Sequence, residues 1–370
     1  MKFIIFILFI LVVFTWLVLK SRNMQLWIGS YIRNVFSAKH RDIPGHKHIY
    51  VCLADHFEPY YRKPGEAIAR QRVSHWIDNY VRLAKQHTDS DGKHPQHSYF
   101  YPVEEYDEWI LDELSKVCKQ GLGDVEIHLH HDNDTDENLE KTLLDFKELL
   151  YSKHGLLRKN AENNIVYGFI HGNWALDNSR PDGKWCGIDN ELDVLVRTGC
   201  EYDMTMPSAP SDTQTSTINS IYIAKEDGKC KSHDKGRPLK VGDWKKANEL
   251  LMIQGPLTLN WSSRKFGLIP RIESSELSWD NPPAAQRVAL WENCHVSVKD
   301  AETHIFIKLH THGLEESNPV MFFDNGGFET LWNSLEQKYK NNDSYKLHYV
   351  TAWELYSKIK SLSCGEDKMI

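Results

Sequence analysis

The sequence predicts an α/β fold, a barrel of β/α units preceded by a membrane-spanning helix. Three observations support this prediction: seven short apolar runs alternate with segments of helical periodicity, polar residues follow many of these runs, and residues 3–19 carry no charge. Strands that alternate with amphipathic helices are typical of parallel sheets, because each crossover helix covers one face of the sheet. A chain of 370 residues is long enough to bury a large core.

The seven apolar runs are the predicted strands. They span 49–54, 98–102, 125–130, 165–170, 202–206, 218–224 and 305–309. Apolar stripes at helical spacing predict helices over 66–86, 106–118 and 139–151. Residues 207–281 are rich in turn formers and predict long loops over the mouth of the barrel. The tail then predicts a helix from Phe328, a strand in "YKLHYV" and a last helix.

The first segment predicts a membrane anchor. Residues 3–19 contain no glycine or proline, and their length is close to the lower limit for crossing the hydrocarbon core. The run is long for a signal peptide and no small-residue cleavage site follows, which favours an uncleaved single-pass anchor over residues 1–22. More basic residues follow the span than precede it, so the flanking charges favour a cytoplasmic body. Residues 23–46 are then a juxtamembrane segment, lying on the membrane surface or forming an ordinary linker helix, and residues 47–370 are the barrel.

The composition limits the partners. A net charge of −7 without clustered Lys and Arg excludes nucleic acid as the ligand. The 19 His, 12 Trp and 16 Tyr residues suit a metal site and a cleft with stacking surfaces for sugars. The seven Cys are dispersed without CxxC or zinc-finger spacing, which argues against a disulfide framework.

Histidines and carboxylates collect where the predicted strands end. They are Asp55, His56 and Glu58 after the first strand, His128, His130, His131, Asp132 and Asp134 after the third, His171, Asn173 and Trp174 after the fourth, and His310 and His312 after the last. Residues i and i+2 share one face of a strand, so each His-x-His pair presents two imidazoles side by side. The carboxyl ends of the strands meet at one end of a β/α barrel, where active sites are assembled.

This set of side chains predicts a divalent metal site with hydrolytic chemistry. Imidazole and carboxylate groups bind Zn²⁺, and a catalytic site leaves one position for a water whose pKa falls from about 15.7 to about 7. A carboxylate then takes the proton of the water and an imidazolium returns one to the leaving group. The segment "DNDTDEN" lacks the Gly and the terminal Glu of a calcium loop, so it predicts a helix start capped by Thr135 or Asp136.

Three motifs resemble those of the polysaccharide deacetylases and the wider glycoside hydrolase/deacetylase superfamily of distorted (β/α)7 barrels, over residues 47–363. "ADHF" is similar to the Asp-Asp of the family's first strand, "VEIHLH" to its "HEIGNH" region, and Leu309 to Gly313 to its closing Leu-x-x-His-Asp. "HGNWALDNSRPDG" together with "TMPSAPSDTQT" looks like a divergent branch. Where the family has a second Asp, a later His and a final Asp, this chain has His56, Asp134 and Gly313, and the Arg-x-Pro motif is missing.

The resemblance implies a membrane-anchored, metal-dependent hydrolase that deacylates a sugar in a cell-envelope or exported polysaccharide. Its implied site residues are Asp55 as base and His312 as acid, a ligand pool of His56, His128, His130 and Asp134 for a divalent ion, expected to be Zn²⁺, and His171, Asn173, Trp174 and His310 as substrate-binding groups. Two alternatives stay open. One is an amidohydrolase- or phosphoesterase-type metal hydrolase, although such enzymes usually carry His-x-His on the first strand. The other is a non-catalytic carbohydrate-binding subunit that works with polysaccharide-assembly proteins.

Overall fold

The computed structural model describes residues 2–37, 43–315 and 317–366, and it has a mixed α/β fold around a parallel-rich central sheet, as the sequence predicts. The strands are β1 Lys47–His56, β2 His97–Pro102, β3 Gly123–Leu129, β4 Arg158–Lys159, β5 Ile165–His171, β6 Cys200–Asp203, β7 Ile221–Ala224, β8 Arg237–Pro238, β9 Leu250–Ile253, β10 Thr258–Lys265, β11 Ile269–Glu273, β12 His304–Thr311 and β13 Tyr345–Tyr349. The α-helices are α1 Lys2–Ser21, α2 Ile28–Phe36, α3 Glu66–Ala84, α4 Glu108–Lys119, α5 Asp136–Ser152, α6 Glu191–Thr198, α7 Ala285–Cys294, α8 Gly327–Leu335 and α9 Ala352–Ser363.

The central sheet is a curved run of parallel strands. Its order is β12-β1-β2-β3-β5-β6-β9, and every neighbouring pair in this run is parallel. Gly255, just after β9, lies against β12 so closely that a Cβ on it would come within 2.5 Å of the carbonyl oxygen of Lys308. The Nζ of Lys308 also donates to the carbonyl oxygen of Met204, at 2.9 Å. The two ends of the parallel run therefore approach each other.

One predicted strand belongs elsewhere in the sheet. Residues 218–224 contain β7, which pairs antiparallel with β9. The remaining member of the parallel run is β9, which lies inside the stretch 207–281 that the sequence predicted as loops. The β10–β11 hairpin lies in the same stretch. Four apolar residues among turn formers carry no periodic signal, which is why β9 was missed.

The alternation of β1 decides which side chains face the site. Val51 and Leu53 pack against the helical layer, whereas Cys52 and Ala54 belong to the core cluster on the opposite face of the sheet. Successive side chains of a strand point to opposite faces. His56 therefore shares the face of Ala54, and Asp55 shares the face of Leu53.

The N-terminal helix α1 is apolar and largely exposed. In the part of the chain that the structure describes, it is the single helix long and apolar enough to cross a membrane. The segment that follows packs onto the domain: Trp27 is fully buried in a cluster with Leu257 and Leu259, and Arg22 Nη1 donates to the carbonyl oxygen of Pro270 at 2.9 Å. Part of the predicted juxtamembrane segment, residues 38–42, lies outside the described residues.

Candidate functional site

Five side chains at the carboxyl ends of β1, β3 and β12 lie together, and we call them the rim cluster. They are His56, Glu58, His128, His130 and His312. They form two overlapping triples that share Glu58, and within each triple one ligand atom per residue lies within 4.8 Å of the others. The ring centroid of His56 is 4.5 Å from that of His312 and 4.8 Å from that of His128. Groups from the first, third and last predicted strands therefore meet, and the half-buried His130 and His312 open the cluster to solvent.

The two imidazoles of β3 are oriented by hydrogen bonds on the side away from Glu58. His128 Nδ1 donates to the carbonyl oxygen of Ile170 at 2.8 Å, and His130 Nδ1 lies 2.5 Å from Glu104 Oε1. The Nε2 atoms of both rings lie 3.3 Å from Glu58 Oε1. Metal-binding histidines typically hold their second ring nitrogen in this way, which leaves the first one for an ion.

Burial and neighbouring charges set the protonation of the rim cluster. Burial lowers the pKa of His56 well below its usual value and also lowers that of His128. Burial raises the pKa of Glu58, but the hydrogen bonds to His128 and His130 outweigh it and bring the pKa below the usual range. Burial lowers the pKa of His130, but the hydrogen bonds to Glu104 and Glu58 outweigh it and raise the pKa to about 10. Two neutral imidazoles and a carboxylate are thus ready donors for a divalent ion, which must displace a proton from His130.

Asp55, the predicted base, lies on the opposite face of β1 and is not brought to the rim cluster. Its carboxylate is fully buried, with Oδ2 at 2.9 Å from His97 Nε2 and Oδ1 accepting the backbone N–H of Gly313 at 2.7 Å. A Cβ on Gly313 would clash with Asp55 and lie 2.7 Å from the ring of Trp76. Asp55 therefore holds the backbone next to His312, which is the geometry of a positioning residue.

Asp134 and His171 lie at a second group of side chains, which we call the inner cluster. Its members are His131, His171, Cys186 and Glu191, whose ligand atoms all lie within 4.8 Å of one another. Asp134 Oδ2 is 3.0 Å from Nδ1 of His131. The structure thus places Asp134, predicted as a rim ligand, and His171, predicted to bind substrate, at a separate set of donors.

The remaining predicted substrate-binding residues stand beside the rim cluster. The Trp174 ring centroid is 5.7 Å from that of His312, and the His310 centroid is 6.3 Å from that of His56. Asn173 and Trp174 both have positive φ, 53° and 55°, in the tight turn after β5. In the described part of the chain, the buried atoms Trp174 Nε1 and His310 Nδ1 have no hydrogen-bond partner. Such groups beside an open cluster suit a polar ligand.

Several carboxylates and one thiol of the two clusters were not assigned roles from the sequence. Glu58 follows His56 by two positions, so the rule that i and i+2 share a face would have selected it. Glu104, in the 3-10 turn Val103–Glu105 after β2, and Glu276, in the segment after β11, adjoin the rim cluster and carry no local signal. Ser275 and Leu277, on either side of Glu276, hydrogen-bond with the backbone of His310, and burial raises the pKa of Glu276 by more than the neighbouring His312 lowers it. Cys186 reaches the inner cluster only through long-range folding, which dispersed spacing does not reveal.

No protein-family model matches the chain, and no curated protein matches it. Among solved structures, a 4-alpha-glucanotransferase from Thermococcus litoralis is 10% identical, with 85% of this chain and 41% of that chain covered and a TM-score of 0.44. An alpha-mannosidase from Enterococcus faecalis V583 is 10% identical, with 85% and 29% covered and a TM-score of 0.42. The chain spans less than half the length of either protein. The function is therefore inferred from the side chains of the two clusters.

Proposed function

We propose that the protein is a membrane-anchored, metal-dependent hydrolase on a distorted (β/α)7 barrel, and that it removes an acyl group from a sugar. The observation that carries this proposal is the rim cluster, in which imidazoles and a carboxylate from β1, β3 and β12 converge. The resemblance of "VEIHLH" and "LHTHG" to deacetylase motifs supports an acylated sugar as the substrate. The long apolar α1 supports attachment to a membrane, where such a polysaccharide would be met.

The donor set of the rim cluster fits a divalent ion. Glu58, His128 and His130 would hold it, because both imidazoles have their Nδ1 engaged and direct Nε2 towards the same carboxylate oxygen. Nitrogen and oxygen donors of this kind are suited to Zn²⁺. When bound, the ion supplies a water of lowered pKa and polarises the acyl oxygen.

The proton transfers are proposed for groups near His312. His312 lies beside both His56 and Trp174, where it donates a proton to the departing amine or alcohol. Asp55 lies on the opposite face of β1 and is hydrogen-bonded, so we assign the proton of the attacking water to Glu276, whose backbone pairs with that of His310 and whose carboxylate interacts electrostatically with His312. Burial raises the pKa of Glu276 above its usual value, which makes its carboxylate a stronger base.

The substrate is held by the groups around the opening. Trp174 offers an apolar ring face on which a sugar can stack, together with an unpaired indole N–H. His310 adds an unpaired Nδ1. Sugar hydroxyls that pair with these two atoms would offset their burial, which fixes the orientation of the acyl group.

The test uses the full chain purified in detergent. Metal content is measured, and release of acetate from a panel of acetylated glycans is followed with and without a chelator. We expect His128→Ala to lose a metal equivalent together with turnover, and His312→Ala to keep the fold and metal while turnover falls about 10²- to 10⁴-fold. His75→Ala on the exposed face of α3 is the matched control. Absence of rim metal would favour the non-catalytic carbohydrate-binding alternative, and full activity of His312→Ala would remove its role as acid.

A metal phosphoesterase is the second candidate. The observation that favours it is Glu58, which belongs to both triples of the rim cluster. A carboxylate shared in this way suits two ions that together stabilise a phosphoryl transfer. Phosphate release from phosphomonoesters, or alcohol release from phosphodiesters, by the same preparation, with two metal equivalents lost in Glu58→Gln, would support this candidate over the deacylase.

A further inference from the structure

We propose a second metal site, distinct from the rim cluster, in which His131, His171, Cys186 and Glu191 hold one Zn²⁺ as a closed structural centre. This inference does not depend on the reaction at the rim cluster. It rests on the convergence of donors, on the groups that orient them, and on the chemistry of the donor set.

The donors converge from four separate segments. His131 follows β3, His171 ends β5, Cys186 lies in the loop before α6, and Glu191 begins that helix. Nε2 of His131 lies 2.8 Å from Nε2 of His171 and 3.2 Å from Glu191 Oε1. Cys186 Sγ is 3.3 Å from Glu191 Oε2. Two ring nitrogens facing each other beside a carboxylate and a thiol leave one shared centre for a cation.

Each of the four donor side chains is also oriented by a further hydrogen bond. Nδ1 of His131 pairs with Asp134, and Nδ1 of His171 lies 2.5 Å from the carbonyl oxygen of Gly172. The backbone N–H of Asp177 donates to Glu191 at 2.6 Å, and that of Asn178 donates to the sulfur of Cys186 at 3.3 Å. Outer partners of this kind fix the tautomer and direction of metal ligands.

The chemistry of the set selects the ion and its role. A thiolate with two imidazoles favours Zn²⁺ over Mg²⁺ or Ca²⁺, which prefer oxygen ligands. Four protein donors complete a tetrahedral shell and leave no open position for a reacting water. Cys186 binds through sulfur after its thiol proton passes to solvent, so thiolate and carboxylate together balance the two charges of the ion.

An ion also explains how Glu191 is buried. Its side chain is fully buried, and among the described residues its ion-pair partners are the imidazoles of His131 and His171. A buried carboxylate needs compensating charge, because removing it from water is costly. A divalent ion coordinated by the carboxylate supplies that charge directly.

The inner cluster adjoins the rim cluster through the backbone. His131 follows His130, and Gly172 follows His171; a Cβ on Gly172 would clash with the ring of His130. Gly187 has φ of 100° and lets the Cys186 loop pack on the segment of Asp134, where its Cβ would lie 2.8 Å from the backbone nitrogen. An ion here would fix the exits of β3 and β5, which carry His130 and Trp174.

The experiment is a titration of the metal-free full chain in detergent with Co²⁺, followed by absorbance. A thiolate bound to Co²⁺ gives a charge-transfer band in the near ultraviolet, and the rim cluster contains no cysteine, so an ion bound there does not give this band. We expect the band in the wild type and its loss in Cys186→Ser. Cys364→Ser, which removes an exposed cysteine, is the matched control and keeps the band. His128→Ala also keeps it, even when rim metal and turnover are lost.

A second variant covers the case in which Cys186→Ser does not fold. Asp134→Asn keeps Oδ1 for the backbone N–H of Thr135 but removes the acceptor of His131 Nδ1. We expect the Co²⁺ concentration at half-saturation of the band to rise about 10- to 100-fold. Three results would each overturn the proposal. They are saturation of the wild type with Co²⁺ without a thiolate band, a band that persists in Cys186→Ser, and an unchanged midpoint in Asp134→Asn.

Discussion

Replacement of Asp55 distinguishes two possible roles of this residue, that of a catalytic base and that of a positioning residue. The carboxylate accepts the N–H of Gly313 at 2.7 Å and faces His97 Nε2 at 2.9 Å, with both Asp55 and His97 fully buried. Asp55→Ala removes the partner of two buried groups, each of which costs about 1–3 kcal/mol when left unpaired. We therefore expect Asp55→Ala to lose about 2–6 kcal/mol of the free energy of unfolding. Asp55→Asn keeps an acceptor for Gly313, so its loss falls to about 1–3 kcal/mol.

The assay pairs urea unfolding, followed by tryptophan fluorescence, with the pH dependence of turnover. A positioning residue acts through the backbone beside His312, so Asp55→Asn should lower turnover by less than about tenfold, equivalent to about 1.4 kcal/mol in the barrier. Its pH–rate profile should keep both limbs, because the titrating base is still present. A base at Asp55 predicts the reverse: an unfolding free energy close to that of the wild type, turnover about 10²- to 10⁴-fold lower and one lost limb. That result would refute the geometric reasoning.

Three further predictions concern stability. Arg287→Ala should cost about 3–5 kcal/mol in urea unfolding, because it leaves the fully buried carboxylate of Glu273 without its ion-pair partner at 2.8 Å, and a loss below about 1 kcal/mol would contradict this. Gly168→Ala should destabilise by about 1–3 kcal/mol, since a Cβ there would clash with the ring of Tyr202, and an unchanged unfolding midpoint would contradict the packing. Trp27→Ala should cost about 3–5 kcal/mol and speed proteolysis of the N-terminal segment, measured by limited digestion, whereas equal digestion rates would argue against docking.

The parallel sheet was predictable because its signal is local. Strands β1, β2, β3, β5 and β12 are apolar runs bounded by helical periods, and both ends of each strand lie within two residues of the predicted range. The short β9 was not predictable in the same way, because its four residues form a strand only through pairing with β6 and β7.

The candidate site was predictable only in part, for a related reason. His-x-His on a strand end indicates a shared face, and His128, His130 and His312 do meet in the rim cluster. Adjacent residues point to opposite faces, however, and motif matching with a family paired Asp55 with His56 as if they served one centre. The same motif comparison assigned Asp134 to the rim cluster, although the short loop after β3 places its carboxylate against His131. Glu191 and Cys186 needed tertiary structure, since nothing in their local sequence indicates a ligand.

The dipeptide His130-His131 links the two clusters. His130 closes β3 on the side of Glu58, and His131 turns to the opposite side, where His171 and Glu191 lie. At this strand end two adjacent side chains face the two clusters, and each ring is held by a carboxylate on its Nδ1. A closed centre at the inner cluster would therefore restrict the rotation of His130 without contacting the substrate. It would thereby preorganise His130 as a ligand for the metal ion that we propose at the rim cluster.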